Sequence, residues 1–366
     1  MKKSVITLAL VLVIALLTGC AGTPVVYYSD CTCPTGAHTE TTPAETTPVE
    51  TEPVLTTDPV AEGAVKTGVA IVASAAESKS AGDADGEAKY DVTVVAVTVD
   101  DNGVIQSCVI DSIGTSVLFD VNGAIVSDLS AEILTKNELG DNYNMKLYGG
   151  AVAEWYEQAA ALASFACGKT VEELRAGAVD ETGHAVDADL ATTATIYLGG
   201  YVSAIENAVF NAEHLGAQAG DELKLGITVS VGSSKSADAE NAGTAQLDVD
   251  AVALTMKDGV ITSAQIDSLQ GKVTFDATGT VTGGTDGIFA TKNMLGEQYG
   301  MVAWGGAIAE WDAQAASFAA YITGKTPAEV AAIAVNEGTK PVDADLATSV
   351  TIAIGGFQAL IAKTCG

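Results

Sequence analysis

The sequence predicts an α+β fold: two tandem homologous domains, each an antiparallel sheet with packed helices, behind a disordered tether. Three observations predict it. The chain repeats itself, valine-rich alternating segments are closed by turn residues, and alanine-rich runs with helix-capping residues follow them in each copy. The duplication is the strongest of the three. DADLATTATIYLGG, Asp187 to Gly200, returns as DADLATSVTIAIGG, Asp343 to Gly356, with ten of fourteen positions identical. TKNELGDNYNMKLYGG (Thr135 to Gly150) matches TKNMLGEQYGMVAWGG (Thr291 to Gly306). AEWYEQAA from Ala153 matches AEWDAQAA from Ala309, and GKTVEE from Gly168 matches GKTPAE from Gly324. The two domains are expected over 64–211 and 222–366, each of ordinary domain size.

The chain opens with MKKSVITLALVLVIALLTGC, in which two lysines precede an apolar run from Val5 to Leu17. A transmembrane helix needs about 20 apolar residues, so this reads as a signal peptide over 1–20. Its end, Leu17-Thr18-Gly19-Cys20, resembles a bacterial lipobox. That resemblance implies a lipid on the Cys20 thiol, holding the protein to membrane lipid at the extracellular face of the cell membrane. Residues 21–63 follow, with TETTPAETTPVETEPVLTTDPV at their centre. Thr, Pro and Glu with few large apolar groups bury too little surface to offset chain entropy, so a disordered, extended spacer is expected.

Within repeat one, DVTVVAVTV, the turn Asp101-Asn102-Gly103 and VIQSCVID predict a β-hairpin. SVLFDVNGAIV predicts a second hairpin, bent at Asn122-Gly123. The repeat-two turns fall at Asp258-Gly259 and Thr278-Gly279. The run from Gly149 to Ala166 reads as a long helix carrying Trp155, with Trp311 its counterpart; both tryptophans are expected in the core. Thr170 with Glu173, and Thr326 with Glu329, form capping boxes for a short second helix, with Pro327 tolerated at its first position.

Composition restricts partners. A formal net charge of −30 argues against nucleic acid, which requires clustered Lys and Arg. Six cysteines, one of them Cys20, form no disulfide framework or zinc spacing. Cys31 and Cys33 lie in the tether region. Cys108, Cys167 and Cys365 are expected in a strand, at a helix end and beside the terminus. His184 has Lys340 as its counterpart, so the repeats share no histidine chemistry, and no Ser–His–acid set or phosphate-cradling glycine loop emerges.

Thr192, Thr193 and Thr195 precede the helical spacing of YVSAIENAVF. Hydroxyl residues at such a boundary read first as helix N-caps, since their oxygens satisfy free N–H groups. Gly199-Gly200 points further, because glycine costs a helix about 1 kcal/mol and admits close approach to the backbone. A helix N-terminus also attracts phosphate.

Asp-x-x-Ser/Thr-Gly-Ala-Thr followed by a helix is the flavinylation motif of the FMN-binding domain family. Asp189-Leu190-Ala191-Thr192-Thr193-Ala194-Thr195 and Asp345-Leu346-Ala347-Thr348-Ser349-Val350-Thr351 resemble it in spacing. The resemblance implies that Thr195 and Thr351 accept FMN through its phosphate from a flavin transferase. It makes Asp189 and Asp345 the leading acids of the motif, with Thr192 and Thr348 at its Ser/Thr position. Lys136 and Lys292 lie where the family has a loop over the flavin, where a lysine would pair with the phosphate or ring; the other reading is a solvated lysine or a local ion pair. Tyr143 and Tyr299 either stack on the ring or pack on their own core. The whole plan resembles flavinylated lipoproteins of Gram-positive extracellular electron transfer. It implies a carrier rather than an enzyme, taking electrons from a membrane redox donor to an extracellular electron acceptor. Thr193 and Ser349 replace the family's glycine, and Val350 its alanine, so repeat one is the closer match. The alternative is a cofactor-free binding or structural lipoprotein that keeps the fold.

Overall fold

The computed structural model describes residues 63–366. The lipobox, Cys20, Cys31, Cys33 and nearly all of the expected tether lie outside them. Repeat one begins with β1 (Lys66–Ser74), β2 (Gly86–Val99) and β3 (Ile105–Phe119), an antiparallel sheet in that order. Six helices follow: α1 (Lys136–Leu139), α2 (Met145–Gly149), α3 (Trp155–Ala166), α4 (Val171–Ala178), α5 (Ala188–Thr193) and α6 (Gly199–Phe210). Repeat two has β4 (Glu222–Ser230), β5 (Gly243–Lys257), β6 (Val260–Phe275) and a short β7 (Val281–Gly283). Its helices are α7 (Lys292–Leu295), α8 (Met301–Gly305), α9 (Trp311–Ile322), α10 (Pro327–Ala331) and α11 (Gly355–Cys365), with a 3₁₀ turn at Leu346–Thr348 where repeat one has α5.

Local chemistry explains these elements. The β2–β3 turn is held by Asp100 Oδ1, which accepts from the N–H groups of Asn102 and Val104 at 2.9 Å each. The β5–β6 turn is one residue shorter, with Asp258 and Gly259 both at positive φ (50° and 79°), as a two-residue hairpin with a primed turn requires. Both hairpins carry a bulge beside the turn, at Thr98/Val99 and at Thr255/Met256. The capping boxes at Thr170 and Thr326 form as expected, with Pro327 opening α10.

Two expectations are corrected. The run from Gly149 to Ala166 is not one helix: Gly150 turns left-handed (φ 63°) after α2, and α3 begins only at Trp155, capped by Glu154 and Glu157. The second hairpin is reduced in repeat one to a single bridge, Phe119 to Ile125, and only repeat two extends it to a three-residue strand.

The sheets stack face to face. Val92, Val94 and Ala96 of β2 point into an inner core that also holds Val249, Ala251 and Ala253 of β5. The outer faces carry separate cores, one under α3 and α6, the other under α9 and α11. The order is helices, sheet, sheet, helices, and β2 is buried on both sides from Val94 to Val99. Contacts across the inner layer repeat with the duplication: Ala81 N–H donates to Gly279 O (2.7 Å) and Ala237 N–H to Gly123 O (2.8 Å). Likewise Ser80 Oγ accepts from Val281 N–H and Ser236 Oγ from Ile125 N–H. At one edge, Gln265 of β6 bridges to β1, its Oε1 accepting from Val69 N–H and its Nε2 donating to Asn211 O.

Candidate functional site

On the last long strand of each sheet, buried acids hold the loop that carries the candidate lysine. Asp111 accepts from the N–H groups of Ser112 (2.7 Å) and Asn137 (3.1 Å), and Asn137 returns a bond to Ile110 O. Asp267 does the same with Ser268, Asn293 and Ile266 in repeat two. Burial pushes the Asp267 carboxyl up to about 6, against hydrogen bonds that favour its ionised form, and raises Asp111 in the same direction. A second acid, buried in repeat one and half-buried in repeat two, pins the next helix: Glu154 accepts from Met145 and Lys146 N–H, and Glu310 from Met301 and Val302 N–H.

These anchors set Lys136 against two rings. Its ammonium lies 5.2 Å from the Tyr143 centroid and 5.1 Å from that of Trp155. Lys292 sits alike, 5.4 Å from Tyr299 and 4.8 Å from Trp311. Such placement favours a cation by the ring quadrupole. Both tryptophans are buried as expected, and Trp155 also turns its indole N–H to Tyr201 Oη at 3.1 Å. In repeat one these groups enclose a pocket of about 310 Å³, lined among others by Thr93, Lys136, Tyr143, Trp155, Tyr197 and Gly200.

The expected threonine caps are not formed. Helix α6 starts at Gly199 with Leu198 before it and no side-chain cap, and α11 starts at Gly355 after Ile354 in the same way. Asp187 wins the capping role one element earlier, its Oδ1 accepting from Asp189 and Leu190 N–H at 3.0 Å each. Asp343 does so for Asp345 and Leu346. Thr192 and Thr348 turn back to the carbonyls of Asp189 and Asp345, both at 2.7 Å. The carboxylates of Asp189 and Asp345 are exposed, and among the described residues no hydrogen bond joins them to Thr195 or Thr351.

Thr195 and Thr351 are instead held by a residue the sequence did not single out. Gln158, fully buried in α3, accepts on Oε1 from Thr195 N–H (2.8 Å), Thr195 Oγ1 (3.3 Å) and Ile196 N–H (3.1 Å). Its Nε2 donates to Ala153 O. Gln314 repeats the pattern with Thr351 and Ile352, at 2.8, 3.1 and 3.2 Å. Both glutamines stand in the duplicated AEWxxQAA segment, which was the available signal. Thr195 is exposed, and its neighbours Ile196 and Tyr197 line the pocket. Gly200 faces open space there, with no atom within 4 Å of where a Cβ would stand.

The two repeats differ at one wall. Asp250 on β5 occupies the position of Thr93 on β2, each opposite an equivalent serine, Ser268 and Ser112. Ser268 Oγ–H donates to the Asp250 carboxylate, which burial raises above its usual range. Burial also lowers the Lys292 ammonium, against the pull of Asp250, Asp248 and Asp267. Phe357 and Ala353 stand where repeat one has Tyr201 and Tyr197. Cys108, Cys167 and Cys365 are free thiols, each half-buried. Among the described residues no helix is long and apolar enough to cross a membrane. The chain matches no protein-family model, no curated protein and no solved structure.

Proposed function

We propose that the protein is a lipid-anchored extracellular electron carrier whose FMN is attached to Thr195 through its phosphate. The observation that carries this reading is the exposed Thr195 hydroxyl beside a pocket of aromatic rings, one ammonium group and an uncapped helix N-terminus. These residues fit the group. Tyr143, Tyr197 and Tyr201 offer π-faces to a flat ring, with the buried Trp155 behind them. Lys136 and the free N–H groups at the start of α6 favour a phosphate, and Gly200 leaves the backbone open to it. Bound there, FMN supplies reversible electron transfer. Gln158 fixes the peptide on both sides of the acceptor oxygen, and its amide oxygen orients the Thr195 hydroxyl. The buried Glu154 and Asp111 hold the aromatic and cationic walls at fixed distance from it. A flavin transferase, a membrane donor, an extracellular acceptor and membrane lipid at Cys20 are the partners this reading requires.

Intact mass of the full chain co-expressed with a flavin transferase tests it. Wild type gains FMN less water, and Thr195→Ala loses that gain while remaining folded. A wild-type chain without flavin, covalent or tightly held, sinks the proposal in favour of a cofactor-free lipoprotein.

A further inference from the structure

We propose that Asp250 closes repeat two to the flavin phosphate, so that Thr351, though held like Thr195, stays unmodified and the protein carries a single flavin. The inference rests on the reading of Thr195 as an acceptor and concerns which repeat that chemistry reaches.

The hydrogen bonds of the acceptor do not distinguish the repeats, although Thr195 is exposed and Thr351 half-buried. Thr351 has the same three bonds to a buried glutamine, and Lys292 lies over the same two rings as Lys136. The difference stands on the strand below. Thr93 is a neutral wall of the repeat-one pocket, beside Lys136 and Gly200. Asp250 puts a carboxylate there, its Oδ2 4.0 Å from where a Cβ on Gly356 would stand, in the first turn of α11. That carboxylate occupies the positive end of the helix dipole and offsets the charge of Lys292, the two features that would draw a phosphate. A phosphate entering repeat two meets a like charge in a partly dehydrated site, where repulsion is screened least. The wall is also less suited to a ring, since Ala353 and Phe357 supply neither phenol of Tyr197 and Tyr201.

The covalent step is the same for either threonine. Its Oγ1 forms a P–O bond to the flavin phosphate of a flavin adenine dinucleotide donor, the diphosphate P–O bond breaks, AMP leaves, and the hydroxyl proton passes to solvent. No electrons are exchanged in it.

The test counts flavins on the full chain co-expressed with a flavin transferase, by intact mass and by mapping the peptides of Thr195 and Thr351. Wild type is expected to gain one FMN less water, on Thr195. Asp250→Thr, which copies repeat one, and Asp250→Asn, which removes the charge at constant size, are expected to gain a second on Thr351. Thr93→Asp is expected to empty Thr195. Retention of flavin at Thr195 in the Asp250 variants reports that they are folded. Two flavins on wild type overturn the inference, as does a count that stays at one in both folded Asp250 variants. A wild type with none fails one step earlier, at the reading of Thr195 itself.

Discussion

Phe119 and Phe275 stack ring on ring across the inner core, centroids 4.0 Å apart and planes within 2° of parallel, each contributed by the same position of its repeat. Both are fully buried. Burial of both rings and their close packing hold the pair. Truncation of Phe119 to Ala is therefore expected to cost about 3–5 kcal/mol, the usual range for a buried aromatic. The Phe119→Ala/Phe275→Ala double variant should cost less than the two singles combined, because the second loss enlarges a cavity already opened. Chemical unfolding of the four proteins measures this; strict additivity would show that the rings do not act as a unit.

Each ring lies against a glycine. A Cβ on Gly86 would stand 2.3 Å from the Phe119 ring and 2.7 Å from Ala81 N, and one on Gly243 would stand 2.3 Å from Phe275. Gly86→Ala is expected to destabilise by about 1–3 kcal/mol, as overpacking does. Gly82→Ala, where nothing lies within 4 Å, is the control and should leave the melting temperature nearly unchanged.

Gln158→Ala removes the one acceptor shared by Thr195 N–H, Thr195 Oγ1 and Ile196 N–H. The partly buried N–H groups left unpaired are expected to cost roughly 1–3 kcal/mol. Hydrogen exchange at the Thr195 and Ile196 amides should quicken by more than at α4, which does not depend on Gln158. Equal quickening throughout would mean the glutamine supports the whole helix layer rather than the threonine segment.

Asp267 gives stability an unusual pH dependence. Its folded carboxyl titrates near 6 against an ordinary 3.8, so the folded state binds the proton more tightly than the unfolded one. Its contribution is then fully present below the ordinary value and is lost as pH rises through about 6, an effect of roughly 2–3 kcal/mol. Asp267→Asn keeps an acceptor oxygen for Ser268 and Asn293 and has no such proton. Unfolding free energies at pH 4.5 and 7.5 should show the variant gaining on wild type at the higher pH. A difference that does not change with pH would refute the assignment.

The hairpin turns, the capping boxes and the buried tryptophans were legible because each depends on neighbours in sequence. Asp258-Gly259 and Thr170 with Glu173 carry their structural reasons within a few residues. The inner core was not legible in the same way. DVTVVAVTV alternates as a strand with one wet face would, yet from Val94 onward both its faces are buried, one of them by the other repeat. The threonines were misread as caps because Asp187 and Asp343, a few residues earlier, satisfy the same chemistry on a different element. Thr93 and Asp250 lie inside strands and in no motif, so only the fold brings them to the site.

Because the paired bonds at Ala81 and Gly279, Ala237 and Gly123 exchange roles under the duplication, the surface between the repeats is isologous: each half presents what the other half needs. A single repeat is thereby its own complement. Cut free at the connection before β4, repeat one would bare the apolar face of β2 and is expected to associate as a homodimer around a Phe119–Phe119 stack. Such a dimer would carry two identical outer faces, where the joined chain carries two that differ at Thr93 and Asp250.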